Sequence, residues 1–446
     1  MIPTGDKSKS TTYQDCTFES VILRMKQSDL KVNASIATYI SYNNQLKGKN
    51  LRNITALLTE MLNNHVFPNT VILNQLIKRL SQLNQLQLSL DVHQMAVTKG
   101  LANAITYNIT LNAIAKSAHP DVQLTLRLLE EAKKAGLANA ITYASTLDAI
   151  AKSAQPDMQL TLRLLEEAKK AGLANAITYA STLDAIAKSA QPDMQLAVKL
   201  LEEAKKAGLA NAITYASTLD AIAKSAQPDM QLAVKLLEEA QKAGLADAIT
   251  YNNTLDAIAK SAQPDMQLAV KLLEEAKKAG LANAITYNNT LDAIAKSVQP
   301  DAQLAGALID EAIEHFKLLD MRNGIRLDLH GLSFGLVYFG LKRRVLQEMD
   351  ASHSISTLTL IYGKGLHSSS RDEIHPVKRA VWRVVSELSG QGISGQENKR
   401  NSGVFELSFR TVRSQPNATN PHRLFTSKLN PNAKPFISTS SQNSLS

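Results

Sequence analysis

Apolar positions along the chain repeat on two scales. Within short stretches they follow helical spacing. Tyr287, Leu291, Ile294 and Ala295 fall at i, i+4, i+7 and i+8, and Ala269, Leu272, Leu273 and Ala276 fall at i, i+3, i+4 and i+7. Each set makes one apolar stripe on a helix. On the larger scale a 36-residue block recurs, with units at 104–139, 140–175, 176–211, 212–247 and 248–283 and a sixth from 284 to about 319 that drifts at its end. A fixed period of this size predicts a solenoid, in which each unit buries its apolar face only against its neighbours.

Polar punctuation divides each unit into two helices. Pro264 with Asp265 suits a helix start, where proline loses no needed hydrogen bond and the acid meets the positive dipole end. Gly280 after Lys277 and Lys278 is a helix stop. The same signals return at Pro156, Pro192 and Pro228, and at Gly172, Gly208 and Gly244. The pattern continues more weakly upstream. Residues 34–69 end in LLTEMLNNHVFPN, residues 70–103 contain VILNQLIKRL and end in GLAN, and Phe18 to Asn33 reads as the second half of a capping unit. The prediction is an all-α helix-pair solenoid of about eight units, divergent over 18–103 and near-identical over 104–319.

After Phe316 the pattern changes. Ile325 to Leu329 alternates like a short strand, and a helical stretch follows with Leu336, Phe339, Gly340 and Leu346. Thr357 to Tyr362 reads as a strand, Pro376 to Leu388 as a helix and Gly403 to Phe409 as a closing strand. Strands alternating with helices predict a small α/β sandwich over 324–410. Residues 1–17 and 411–446 are expected to be disordered. The tail has no acidic residue and carries Pro416, Pro421, Pro431 and Pro435 among Asn and Ser.

Composition narrows the class. Of 446 residues 44% are hydrophobic but only 5% aromatic, which fits small helices packed through Ala, Leu and Ile. The single cysteine, Cys16, excludes a disulfide framework and a Cys-based zinc site. No run of about 18 apolar residues exists to span a membrane. The opening MIPTGDKSKSTTYQDC has no apolar stretch for a signal peptide. It also lacks Arg and holds Asp6 and Asp15, against an organellar transit peptide. The expected location is cytoplasmic, in a bacterium or after export to a host. The net charge of +9 is uneven: 11 Lys/Arg against 6 Asp/Glu in 1–103, 22 against 26 in 104–323, 12 against 8 in 324–410, and 4 against none in the tail. Basic ends around a mildly acidic middle would draw phosphate chiefly to the ends. The plainer reading is a solvated surface with a basic tail.

The opening Ile-Thr-Tyr-Asn, the LLEEAKKAG second helix and the closing Asn resemble pentatricopeptide repeats, in a unit one residue longer than usual. The Trp-x-x-Leu-Gly pattern of tetratricopeptide repeats is absent, for the array has no Trp. The resemblance implies binding of single-stranded RNA, about one base per unit. A side chain at the fifth position of the first helix and one at the end of the unit would read the base, and a periodic polar pair is chemically suited to base edges. Carried over, the pairs are Thr38 with Asn69, Asn74 with Asn103, Asn108 with Asn139, and Asn252 with Asn283, and Asn288 opens the last unit. Family usage implies adenine for Thr/Asn and a pyrimidine for Asn/Asn. Ala144 with Asn175, Ala180 with Asn211 and Ala216 with Asp247 depart from this and should read weakly. The recurring tyrosines (Tyr107, Tyr143, Tyr179, Tyr215, Tyr251, Tyr287) lie on the apolar stripe, which favours core over base stacking. Pairs such as Asp148 with Lys152 at i, i+4 suit an exposed helix face.

Leu327-Asp328-Leu329-His330-Gly331 and Ile361-Tyr362-Gly363-Lys364-Gly365-Leu366-His367-Ser368 resemble the LDxHG and TGxG motifs of the Smr (small MutS-related) domain, over about 85 residues. Tyr362 stands where that family usually has Thr. The resemblance implies nucleic-acid binding and, as in several members, nicking or cleavage of DNA or RNA. The residues suit that chemistry. Asp328 and His330, two apart on a strand, share a face. A carboxylate can orient an imidazole acting as general acid or base, or help hold a divalent metal such as Mg. Gly363, Lys364, Gly365 and His367 make a loop able to meet phosphate. Four histidines, His330, His353, His367 and His375, lie in this segment. The plain alternative gives Asp328 and His330 structural hydrogen bonds only. Three readings follow: an RNA-binding array that positions an endonuclease, a protein-interaction solenoid with a non-cleaving nucleic-acid-binding domain, and a DNA nickase. Single-stranded RNA is the leading partner, then DNA or a protein, with no membrane.

Overall fold

The computed structural model describes residues 17–316, 326–329, 332–350, 357–362, 376–398 and 403–409. The predicted disordered N-terminal segment and tail, His330, Gly331, His353, the Gly363-Lys364-Gly365 loop, His367 and His375 lie outside the described residues.

A single helix, α1 (Phe18–Gln27), precedes eight helix pairs. They are α2 (Ile36–Leu46) with α3 (Leu51–Asn63), α4 (Thr70–Gln82) with α5 (Leu86–Thr98), and α6 (Ala104–Ala115) with α7 (Val122–Lys134). Next come α8 (Ala140–Ala151) with α9 (Met158–Lys170), α10 (Ala176–Lys188) with α11 (Met194–Lys206), and α12 (Ala212–Lys224) with α13 (Met230–Lys242). The last are α14 (Ala248–Lys260) with α15 (Met266–Lys278) and α16 (Ala284–Lys296) with α17 (Ala302–Phe316). Among the described residues no helix is long and apolar enough to cross a membrane.

Local chemistry sets these boundaries. Asp121, Asp157, Asp193, Asp229, Asp265 and Asp301 each accept the N–H three residues on, at 2.9–3.0 Å. Such a cap contributes about 1 kcal/mol. Pro264 sits one residue before the cap, outside the helix. At the other end Gly136, Gly172, Gly208, Gly244 and Gly280 take φ of 66–69°, open to glycine at little cost. The following leucine N–H then reaches back to the last turn, as in Leu281 N to Ala276 O at 2.8 Å. The turn both ends the helix and returns Leu281 to the core.

Packing follows a simple rule. First helices stack on first helices along the array, and from α5 onward each second helix lies against the first helices of its own and the next unit. The predicted stripes fill these seams: Tyr251, Leu255 and Ile258 of one unit pack with Ala269 and Leu272, with Leu237 of the unit before and with Ala293 of the next. Ion pairs stitch the second helices outside. Lys133 meets Glu167 at 2.5 Å, Lys169 meets Glu203 at 2.9 Å, Lys205 meets Glu239 at 2.8 Å and Lys277 meets Glu311 at 2.6 Å. Hydrogen bonds that Lys133 donates to Glu130 and Glu167 hold its ammonium above the ordinary lysine range. At this place Gln241 replaces Lys and bonds the Tyr251 hydroxyl at 2.7 Å. Many acids of the acidic middle segment are thus spent within the array.

The C-terminal segment forms strands β1 (Arg326–Asp328), β2 (Thr357–Ile361), β3 (Ile393–Glu397) and β4 (Val404–Phe409), with helices α18 (Phe334–Asp350) and α19 (Pro376–Leu388). The sheet order is β1-β2-β4-β3. β1 runs parallel to β2, Asp328 opposite Ile361, while β2–β4 and β4–β3 are antiparallel. Leu327, Leu358, Leu360, Phe405 and Leu407 are buried in one core with Val337, Leu341, Val381 and Val384 of the two helices. Strand β3 went unforeseen. Its ISGQE sequence has no β-branched alternation, and its pairing with β4 supplies the order.

Where the divergent units meet the regular ones, His93 is 3% exposed. Its Nδ1 lies 3.0 Å from Thr110 Oγ1 and its ring edge meets Tyr107 at 4.9 Å. Nε2 is buried without a hydrogen-bond partner. Burial pushes the imidazole down from 6.5 to about 4. The unfolded chain therefore binds the extra proton first as pH falls. The stabilisation is whole above about pH 6.5 and is lost progressively down to about pH 4. It amounts to at most about 3.5 kcal/mol. Urea denaturation of the wild type and His93→Gln across this range should show a stability that falls with acid in the former, and a flatter curve in the variant.

Candidate nucleic-acid interface

The face made by the first helices carries the residues that recur once per unit. Each regular first helix starts from Asn103, Asn139, Asn175, Asn211, Asp247 or Asn283, whose side chain accepts the N–H three residues on. The threonine there (Thr106, Thr142, Thr178, Thr214, Thr250, Thr286) returns the bond by accepting the cap residue's N–H. This is a reciprocal capping box with Thr in the place of Glu or Gln.

The structure brings three of the sequence-derived pairs into contact. Asn74 Nδ2 donates to Asn103 Oδ1 at 3.4 Å, Asn108 Nδ2 to Asn139 Oδ1 at 3.2 Å, and Asn252 Nδ2 to Asn283 Oδ1 at 3.3 Å. The threonine closes a ring. Thr106, Thr142 and Thr286 hydroxyls donate to Asn74, Asn108 and Asn252 Oδ1 at 2.7–2.8 Å. Where alanine stands at the fifth position, as at Ala144, Ala180 and Ala216, the next unit's hydroxyl turns back. Thr178, Thr214 and Thr250 then donate to the cap residue's own carbonyl at 2.7–2.8 Å. Asn74, Asn108 and Asn252 are only 6–8% exposed. The cap asparagines are half-buried, and the Nδ2 groups of Asn103, Asn139 and Asn283 donate to nothing among the described residues.

Two predicted positions fall differently. Thr38 is the third residue of α2 after the cap Ser35, and its Oγ1 lies 2.8 Å from Ser35 Oγ. It therefore matches Thr106 rather than Asn108, and the fifth position of α2 is the exposed Ile40. Among the described residues no hydrogen bond joins Thr38 to Asn69, which caps α4 through Ile72 N at 3.0 Å. The divergent sequence there offered no block to align. Asn288 holds the fifth position of α16, with its Oδ1 buried and without a hydrogen-bond partner. The chain that would supply its pair lies outside the described residues.

A feature not singled out in the sequence is a ladder of exposed aliphatic side chains. Ile105, Ile141, Ile177, Ile213, Ile249 and Ile285, each two residues after a cap, are 54–59% exposed, and Val71 occupies the same place in α4. Singly an exposed isoleucine means little, but one per unit at a fixed place does. The signal was present: this Ile is off the apolar stripe in every unit. Lys152, Lys188, Lys224 and Lys260 form a parallel row, each 2.6–2.7 Å from an Asp four residues before it. The tyrosines are 2–4% exposed and belong to the core. Burial, with a Glu167 hydrogen bond, pushes the Tyr143 hydroxyl up to about 12. They are not available to stack on bases.

In the C-terminal unit Asp328 is exposed at the end of β1, between buried Leu327 and Leu329. His330, Gly363, Lys364, Gly365 and His367 lie outside the described residues. Tyr362 is buried, its hydroxyl lacks a hydrogen-bond partner, and burial with Glu397 nearby pushes it up to about 12. Among the described residues no group of three acidic, His or Cys side chains is placed to hold a metal ion.

No protein-family model matches the chain, and no curated protein matches it. Solved structures do. A pentatricopeptide repeat protein, PPR10, in complex with an 18-nt psaJ RNA element is 19% identical with a TM-score of 0.37, over 67% of this chain and 48% of that one. A cysteine-substituted form of PPR10 with the same element is 16% identical with a TM-score of 0.42, over 80% and 51%. PPR10 from maize is 19% identical with a TM-score of 0.39, over 81% and 54%. The aligned part spans about half the length of each of those chains.

The hydroxyl switch has a stability consequence. Asn108→Ala should cost under about 1 kcal/mol, since Thr142 can adopt the bond its counterparts make beside alanine. Thr142→Val should cost about 1–3 kcal/mol, because it strands the Asn139 N–H and the Asn108 Oδ1 together. Urea titration of both variants compares the two losses directly.

Proposed function

We propose that this chain is an RNA-binding helical-repeat protein of the pentatricopeptide kind, whose C-terminal Smr-like unit binds and cleaves nucleic acid. The observation that carries the reading is the recurrence, at one place in every unit from α4 onward, of an exposed aliphatic side chain beside a polar cap residue. A base entering between consecutive isoleucines meets apolar surface on both faces, in whatever sequence. The cap amide, with or without a fifth-position Asn, then meets the base edge by hydrogen bonds. Where Ala144, Ala180 and Ala216 stand, the face offers the apolar slot with less edge reading. The row of lysines supplies positive charge for the backbone, and each ammonium shares an aspartate it can leave in favour of phosphate.

The C-terminal unit contributes the chemistry in this reading. Asp328 orients the imidazole of His330 or helps hold a divalent metal such as Mg, and the Gly363-Lys364-Gly365 loop with His367 receives phosphate. RNA is favoured over DNA because the apolar slots suit unstacked, single-stranded bases.

Two measurements test this. Replacing Ile105, Ile249 and Ile285 together by Ser should weaken binding of labelled single-stranded RNA by about tenfold or more, with the melting temperature unchanged because the side chains are exposed. Unaltered affinity would instead favour a protein-binding solenoid. Cleavage of RNA and of duplex DNA, with and without divalent metal, should be abolished in Asp328→Ala with His330→Ala. Cleavage that persists would remove these two residues from the mechanism.

A further inference from the structure

The seam between the last array unit and the C-terminal unit repeats the seam between two array units. Inside the array Asn253 Nδ2 donates to the Ala216 carbonyl and Asn289 Nδ2 to the Asn252 carbonyl, both at 2.8 Å. In each case a sixth-position side chain reaches the fifth-position carbonyl of the unit before. At the end of the array Ser333 Oγ donates to the Asn288 carbonyl, again a fifth position, at 3.4 Å. A further tie is particular to this seam: the array's Lys–Glu pairs join successive second helices, whereas here Arg343 of α18 meets Asp310 of the second helix α17 at 2.7 Å and donates to the Gly306 carbonyl at 3.3 Å. Tyr287, Leu291 and Ile294 of α16 share one core with Leu336 and Val337 of α18.

Two residues are specialised for this seam. A Cβ on Gly335 would stand 2.4 Å from the Leu291 carbonyl oxygen, so the close approach of α18 to α16 requires glycine. Asp148, Asp184, Asp220 and Asp256 bond their own lysines at 2.6–2.7 Å. Asp292, their counterpart, instead accepts the Gly335 N–H at 2.6 Å, and its lysine stands off at 3.6 Å.

We propose that α18 serves as the first helix of a ninth unit, locking the C-terminal unit in register with the array, so that Asp328 faces the RNA step immediately beyond the nucleotide at Asn288. The proposal rests on the RNA reading above. Ser333 makes the sixth-position contact, so α18 begins where a regular first helix has already passed its cap, its exposed isoleucine and its fifth residue. Counting back from Ser333, Leu327, Leu329 and Leu332 stand at those three places in the sequence. Asp328 is five residues from Ser333, which limits their separation to about 18 Å. The hydrogen bond from Leu332 N to Leu329 O, 3.3 Å, draws them closer. The array then does more than tether: it chooses which phosphodiester meets the C-terminal unit.

The test uses the full chain with Cys16→Ser. Nitroxide labels at Lys278→Cys and Ser386→Cys report the distance between array and C-terminal unit without RNA. An iron chelate on Arg326→Cys reports which nucleotides of a labelled RNA, selected by the full chain from a randomised pool, lie beside β1. The expected result is a narrow distance distribution, with strand scission confined to one edge of the protected segment. Gly335→Ile should broaden the distances and scatter the scission while leaving affinity within about twofold. Asp292→Ala with Arg343→Ala gives a milder loosening if that variant fails to fold. Broad distances in the parent chain would overturn the docking whatever the RNA does. Narrow distances with scission scattered or remote from the edge would overturn the register. A chain that retains no RNA from the pool would overturn the RNA reading, and the register with it, while the distance measurement still judges the docking.

Discussion

A unit of this array cannot bury its own apolar stripe. Tyr251, Leu255 and Ile258 are covered only because Leu237 before them and Ala293 after them close the seam. Stability is therefore a sum over nearest neighbours, and the spacing of units is set by side chains of fixed size. Small residues at the contact, such as Ala257 and Ala293, hold first helices close together, and near-identical sequences make near-identical seams. A ladder of equivalent surface positions is the direct result.

That regularity explains why the candidate interface is economical. The cap residue that ends one unit's count begins the next unit's helix, so the same asparagine both starts a helix and faces outward. Its partner at the fifth position lies one helical turn along the preceding unit's first helix. The polar ring of two asparagines and a threonine is satisfied before any ligand arrives. In the RNA reading proposed above, base edges meet chiefly the amide hydrogens the ring leaves over, and the exposed isoleucines supply contact that ignores sequence. Substituting alanine at the fifth position leaves the fold undisturbed because the threonine has a second acceptor, its own cap carbonyl.

The C-terminal unit obeys the same rule by other means. It has its own sheet and its own core, yet that core is continuous with the last array seam through Leu291, Ile294 and Leu308. Gly335 and Asp292 adapt a helix from an unrelated context to a surface made for another repeat. An array that ended without such a cover would expose the stripe of its last unit to water, a cost of about 25 cal/mol for each Å² left open.

Much was determined by sequence alone. The 36-residue period, the Asp starts, the Gly stops and the stripe positions were enough for the helix pairs and the buried tyrosines, because each follows from local hydrogen bonding or from helical spacing. The pairing of Asn108 with Asn139 came from the resemblance to pentatricopeptide repeats. Tertiary structure decided the rest. Thr38 was misplaced by two positions because the divergent first unit gave no register until its cap, Ser35, was seen. Strand β3 exists through pairing with β4 and not through its own propensity. The threonine switch depends on what the preceding unit presents, and the seam at Gly335 joins residues more than forty apart that no local pattern connects. Sequence fixes what a residue can do within a turn of chain, whereas contacts across a seam depend on the three-dimensional spacing that packing alone supplies.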